Sequence, residues 1–264
     1  MSGKKIAGAL RLDIAGATDR GLVRAQNEDC FAVDAGLRLM AVADGMGGHR
    51  AGEVASALAV EAVMRGAKGL AVFPEEALAG GGPSARARAL LSLVAAANAA
   101  VHERSLKDPR CAGMGTTVAA VWAGKKSFAA AHVGDSRIYL WRGQKLARLT
   151  RDHTWTQERV RAGAMSEAEA DASGLGNVLT RAVGTEPEVK ADLLDHDLRA
   201  GDALLLATDG LTKMLDDGEI AARLAAEKDA AAAARALVSA ANAAGGEDNV
   251  TVVVARVLKP ARRV

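Results

Sequence analysis

The sequence predicts a mixed α+β domain, and three features carry that expectation. Two nearly unbroken apolar runs, LRLMAVADG at residues 37–45 and ALLLATDG at 203–210, each stop on an Asp-Gly pair. Runs of this kind, bounded by turn residues, read as strands buried on both faces. Ala-rich stretches at 51–67, 85–106 and 218–244 place apolar residues at helical spacing. Between them, residues 115–149 break into short strand-like segments punctuated by Gly124, Gly134 and Gly143.

Taken in order, residues 8–20 read as a first strand, broken by Gly21. Asn27-Glu28-Asp29 forms a polar turn, and Cys30 to Val33 resumes an apolar strand beside residues 37–44. Strand, loop, strand and strand in quick succession predict antiparallel neighbours. Helices at 51–67 and 85–106, joined by a Gly- and Pro-rich loop at 74–84, predict an antiparallel pair. GTTVAAVW, SFAAAHV, RIYLW and KLARLT read as a four-strand meander. An insertion at 150–186 carries helical pieces at 154–162 and 166–170, where Ser166 is an N-cap with acidic residues behind it. A strand at 188–198, the buried strand ending on Asp209, a long helix at 218–244 and a β-branched strand at 250–258 complete the chain. Residues from about 259 form a basic, frayed tail. With no low-complexity linker and no short repeat, residues 1–264 are expected to form one domain.

Composition excludes several classes of function. Of 264 residues, 50% are hydrophobic and 25% charged, an ordinary globular balance. A net charge of +2 gives no footprint for nucleic acid or for an anionic membrane. Nothing approaches the ~20 apolar residues of a membrane span, and Asp13 interrupts what would be a poor secretory signal. Aromatics at 3% leave no stacking platform for bases. Cys30 and Cys111 lie in no metal or redox motif and read as reduced buried thiols of a cytoplasmic protein.

The acids at strand ends carry the chemistry. Asp44-Gly45 and Asp209-Gly210 end buried strands, Asp248 precedes the last one behind Gly245-Gly246, and Glu28-Asp29 sits in the first polar turn. Singly, each reads as a turn or cap residue. Together, at the tips of apolar strands, they repel one another unless cations lie between them. An all-oxygen donor set selects magnesium or manganese over zinc. Arg20, at the end of the first strand, is placed to clamp a phosphoryl group or to pair with one of these acids.

In this order the motifs resemble the metal-dependent protein phosphatases (the PPM family, type 2C serine/threonine phosphatases) in their bacterial form. The matching segments are Thr18-Asp19-Arg20-Gly21-Leu22-Val23-Arg24, Asn27-Glu28-Asp29, Asp44-Gly45-Met46-Gly47-Gly48, Gly52-Glu53-Val54-Ala55-Ser56, Gly113-Met114-Gly115-Thr116-Thr117, His132-Val133-Gly134-Asp135-Ser136-Arg137, Thr150-Arg151-Asp152-His153-Thr154, Thr208-Asp209-Gly210-Leu211 and Glu247-Asp248-Asn249-Val250-Thr251. The resemblance implies a four-layer α-β-β-α sandwich of two antiparallel sheets flanked by helix pairs, with residues 150–186 as a flap. It implies hydrolysis of phosphoserine and phosphothreonine, reversing a bacterial Ser/Thr kinase, by a monomer that binds neither nucleic acid nor membrane. Two Mn2+ or Mg2+ ions are implied, bridged by Asp44 and bound by the Gly45 carbonyl, Asp209, Asp248, Glu28 and Asp29. They would activate a shared water for in-line attack on phosphorus. Arg20 would bind the phosphate, and Asn249 and Asp135 would fix ligands or turns from behind.

Departures from the pattern narrow these expectations. Met46 stands where some relatives carry a general-acid histidine, and His49 is too far along a glycine turn to match that role. Ala112 and Lys213 stand where many relatives carry acids for a third ion, so no third ion is assigned. A catalytically inactive phosphoprotein-binding or kinase-partner module on the same fold, and a small-molecule phosphohydrolase, are the competing readings. An inactive module usually lacks one of the core acids, and here all are present.

Overall fold

The computed structural model describes residues 10–47, 51–70 and 82–260. His49, the greater part of the expected loop at 74–84 and the end of the basic tail lie outside them. In chain order the elements are β1 (Arg11–Asp19), β2 (Asp29–Asp34), β3 (Leu39–Met46), α1 (Ala51–Lys68) and α2 (Ala85–Lys107). A 3-10 turn at Pro109–Cys111 leads to β4 (Gly115–Thr116), β5 (Val118–Ala123), β6 (Ser127–Val133), β7 (Arg137–Arg142) and β8 (Lys145–Arg148). Then follow α3 (Trp155–Arg161), α4 (Glu167–Ala172), β9 (Asp192–Asp197), β10 (Ala203–Ala207), α5 (Asp209–Thr212), α6 (Asp217–Ala226), α7 (Ala230–Ala243) and β11 (Val250–Leu258).

Strand alternation explains the layers. On β3, Leu39, Ala41 and Ala43 face α1 and α2, while Met40 and Val42 face the other sheet. On β10, Leu205 and Ala207 pack on the α6–α7 side, while Leu204 and Leu206 face inward. Both strands are buried on both faces, which is why each reads as an unbroken apolar run. One sheet has the order β1-β11-β10-β7-β8 and the other β2-β3-β5-β6-β9, with β4 paired to β3. Every pairing among these strands is antiparallel. The fold is therefore the expected α+β, four-layer α-β-β-α sandwich.

Three local expectations are corrected. β1 does not pair with β2, which it meets only face to face from the other sheet: it pairs along its whole length with β11, Ile14 opposite Ala255. Residues 115–149 are not one meander, since β5–β6 belongs to one sheet and β7–β8 to the other. The chain crosses between sheets at Gly134, whose φ of +101° turns it out of the first. The helix expected at 218–244 is two, because the Asp229 side chain accepts the Ala232 N–H at 2.7 Å and starts a new helix. In the two strand cases local pattern identifies an element and distant residues choose its partner, while the helix is divided by a local cap.

The Ser166 cap is present as a full capping box with Glu169. Cys111 is buried and Cys30 half-buried, and both are free thiols. Among the described residues no helix is long and apolar enough to cross a membrane.

Two buried features invite measurement. Asn98 on α2 ties down the far end of the 150–186 insertion, accepting from the Gly184 N–H at 2.7 Å and donating to the Glu186 and Pro187 carbonyls at 3.0 Å. Gly184 has φ +93°, and a Cβ there would overlap Val101. Gly184→Ala is expected to cost about 2 kcal/mol or more, read as a lower urea midpoint at unchanged slope. His132 on β6 lies 4.7 Å from the His153 ring, buried, with neither ring nitrogen hydrogen-bonded. Burial first, then His153, pushes its pKa down to about 3 from an ordinary 6.5. Between those values the unfolded chain binds a proton here and the folded chain does not, so stability falls as pH falls through that window. His132→Leu is expected to remove this component, roughly 1.4 kcal/mol per pH unit across the window, seen as a flatter profile than the parent's in urea unfolding from pH 7 to 4.

Candidate metal and phosphoryl centre

Inward-facing positions at one end of the sandwich are polar rather than apolar. Asp44 continues the inward parity of Met40 and Val42, and it lies directly opposite Asp29 on β2. From the other sheet, β10 ends on Ala207 with Thr208 and Asp209 just beyond, and Asp248 lies two residues before β11. A cleft of about 290 Å3 is lined by Arg24, Glu28, Asp44, Gly45, Asp135, Asp209, Lys213 and Asp248 together with loop backbone and with Asn177 and Leu179 of the 150–186 insertion. Asp29 lies behind it, its Oδ2 accepting from the Thr208 hydroxyl at 2.8 Å.

Glycines allow this convergence. A Cβ on Gly45 would overlap the Gly52 and Glu28 carbonyls, and one on Gly210 would overlap the Asn249 carbonyl. Asn249 fixes the surrounding loop. Its Oδ1 accepts from the Glu28 N–H, and its Nδ2 donates to the Arg20 and Gln26 carbonyls, each at 2.8 Å. Thr117 accepts from the Asp44 N–H at 2.9 Å and lies 2.7 Å from the Ser136 hydroxyl. Asp135 stands at the crossover between sheets and faces the same cleft. His153 holds that crossover, accepting from the Gly134 N–H at 3.1 Å.

Charge crowding dominates the electrostatics. Burial, followed by Asp29, Asp209, Asp135 and Asp248, raises the Asp44 carboxyl well above the usual range. Burial raises Asp29 to about 7 against the lowering effect of Thr251 and Thr208, with Asp209 and Asp248 adding to the rise. Asp135 is pushed up to about 7 by burial, Asp209 and Asp152. Burial also raises Glu28, Arg24 opposing it. Such crowding is what a bound cation relieves.

The donors fit hard divalent ions: they are oxygens alone, and the buried Asp29 Oδ1 and Asp209 Oδ1 have no hydrogen-bond partner. Among the described residues no three His, Cys, Asp or Glu side chains are gathered tightly enough to make a finished cage. Present cations explain part of this. Asp248 is turned onto Arg24 at 3.0 Å and Lys213 at 3.1 Å, and Asp209 onto Lys213 at 2.6 Å.

Arg20 is not where the sequence reading put it. Its side chain is exposed and reaches the Ala25 carbonyl at 3.4 Å, outside the cleft. Gly21, at φ +78°, passes against the backbone of Gly246 and Asp248, and the Leu22 N–H donates to the Gly246 carbonyl at 2.7 Å. The loop folds over residues 246–249, so the side chain that re-enters the cleft is Arg24. Lys213, noted from the sequence only as a departure at a third-ion position, also lines the cleft. Its i, i+4 spacing from Asp209, across a turn too short to read as a helix, was the available signal.

Known proteins share this fold. The protein phosphatase 2C family model matches residues 23–250. The serine/threonine protein phosphatase PstP of Mycobacterium tuberculosis is 41% identical over 94% of this chain, which spans only 46% of that protein, about half its length. The serine/threonine phosphatase stp of Listeria monocytogenes is 35% identical over 90% of this chain and 92% of its own. A crystal structure of the PstP catalytic domain in complex with two manganese ions superposes with a TM-score of 0.81 at 38% identity, covering 95% of this chain and all of that one. This chain belongs to the protein phosphatase 2C family.

Proposed function

We propose that this protein is a bacterial, cytoplasmic, monomeric serine/threonine protein phosphatase, dependent on Mn2+ or Mg2+, that reverses the action of a Ser/Thr kinase on phosphoproteins. The observation that carries the reading is the convergence of Glu28, Asp44, Asp209 and Asp248 with Arg24 in one cleft. It is supported by the family and by the Mn2+ ions in the related PstP domain.

Asp44, Asp209, Asp248, the Gly45 carbonyl, Glu28 and Asp29 would hold two such ions. When bound, such a pair supplies positive charge and a water acidic enough to ionise near neutral pH. The chain's own contribution is positional. Arg24, half-exposed at the rim, would bind two phosphoryl oxygens and hold phosphorus for in-line displacement. This replaces the role first given to Arg20. Asn249 and Thr117 would keep the Glu28 loop and the Asp44 backbone in place. The Cys30 thiol is raised by burial, which disfavours the thiolate a covalent route needs. Asn177 and Leu179 of the 150–186 insertion reach the cleft wall, the place from which a flap would select peptide substrates.

Two experiments test this. Phosphate release from a phosphothreonine peptide should vanish in chelator and return with Mn2+, while Asp44→Asn should lose about a thousandfold or more. Peptide turnover intact in that variant would refute the assignment. Arg24→Ala should lower kcat/KM about a hundredfold, whereas Arg20→Ala should stay within about twofold because its guanidinium faces solvent. Equal effects of the two changes would argue against the corrected role.

A further inference from the structure

Lys213 lines the acid cleft without a place in the scheme above. It follows α5 directly, and its N–H donates to the Asp209 carbonyl at 2.8 Å, so its backbone is fixed. Its Nζ lies 2.6 Å from Asp209 Oδ2 and 3.1 Å from Asp248 Oδ2. It therefore bridges acids contributed by two different chain segments. Asp248 Oδ2 is shared with Arg24 Nη2 at 3.0 Å, so two organic cations occupy that one oxygen. Burial lowers the affinity of this ammonium for its proton, but Asp209 and Asp248 more than offset it, and the group stays charged.

A dication and an ammonium cannot share Asp209 and Asp248 without repulsion at close range. The side chain has somewhere else to go. Lys213 also forms part of a second cleft, of about 450 Å3, whose charged lining is Asp135, Asp152, Asp209 and the Arg137 that pairs with Asp152. Asp135 is buried and, among the described residues, forms no ion pair, so it offers the ammonium a further carboxylate at the place where this second cleft meets the first.

We propose that Lys213 is a tethered counter-ion that bridges Asp209 and Asp248 in the metal-free protein and must be displaced when a divalent ion binds there. It thereby weakens metal binding while stabilising the empty site. This rests on the functional reading above, and it assigns Lys213 a role in metal loading rather than in the reaction.

Calorimetric titration of chelator-stripped protein with MnCl2 tests it. Lys213→Met keeps the side-chain length and removes the charge, and it should bind Mn2+ roughly tenfold more tightly than the parent. Lys213→Arg keeps the charge and should remain near the parent value. In EDTA, Lys213→Met should melt at a lower temperature than the parent, the gap closing as Mn2+ is added. If the Met variant is unfolded in EDTA, the Mn2+ concentration giving half of its thermal rescue is compared with the parent's, and a lower value supports the proposal. Unchanged or weaker Mn2+ binding by Lys213→Met, with the parent binding normally, would overturn this proposal and leave the metal reading standing. No Mn2+ binding by the parent or either variant would overturn both.

Discussion

Mutual repulsion among buried carboxylates is the constraint around which this molecule is arranged. Asp29, Asp44 and Asp135 feel one another's charge or that of Asp209 and Asp248 at one end of the sandwich, and burial compounds the cost for these three. A fold spends stability to assemble such a cluster, and only cations recover it. Arg24 and Lys213 supply part of that charge from within the chain. The remainder defines what the site will accept: hard ions that tolerate oxygen alone.

Rigid support makes the crowding possible. The acids project from the ends of strands whose bodies are held on both faces, by the other sheet on one side and by helices on the other. An acid on a loose loop would relax toward water and escape its neighbours. Here the paired register of Asp29 with Asp44, and the Asn249 hydrogen bonds across the Arg20–Gln26 loop, deny that relaxation. Small residues matter for the same reason. The absence of a Cβ at Gly45 and Gly210 lets backbones close around the site, so the carboxylates meet rather than line a wide trough.

The insertion between Thr150 and Glu186 follows a different logic. Its far end is secured by Asn98 and by the isolated pairing of Thr116 with Val183, and its near end by the His153 N–H donated to the Gly134 carbonyl at 2.8 Å. Among the described residues, its middle contributes to the cleft through Asn177 and Leu179. A segment anchored at its ends and touching the chemistry along one edge can vary without disturbing the acids.

Much was legible in the residues alone. Unbroken apolar runs ending on Asp-Gly identified β3 and β10, and acids at strand tips pointed to an oxygen-only cation site, because hydrophobic period and donor chemistry are local properties. Sequence order could not choose strand partners: β1 joins β11 more than 230 residues away, and β6 parts from β7 across two sheets. Nor could it choose between Arg20 and Arg24, four residues apart in one loop, because Gly21 and the 246–249 turn decide which one faces inward. The sequence by itself determined which chemical groups are available and which strands are buried. Tertiary structure alone decided which of those groups meet, since meeting depends on register and loop path, and both are set by contacts between residues far apart in the chain.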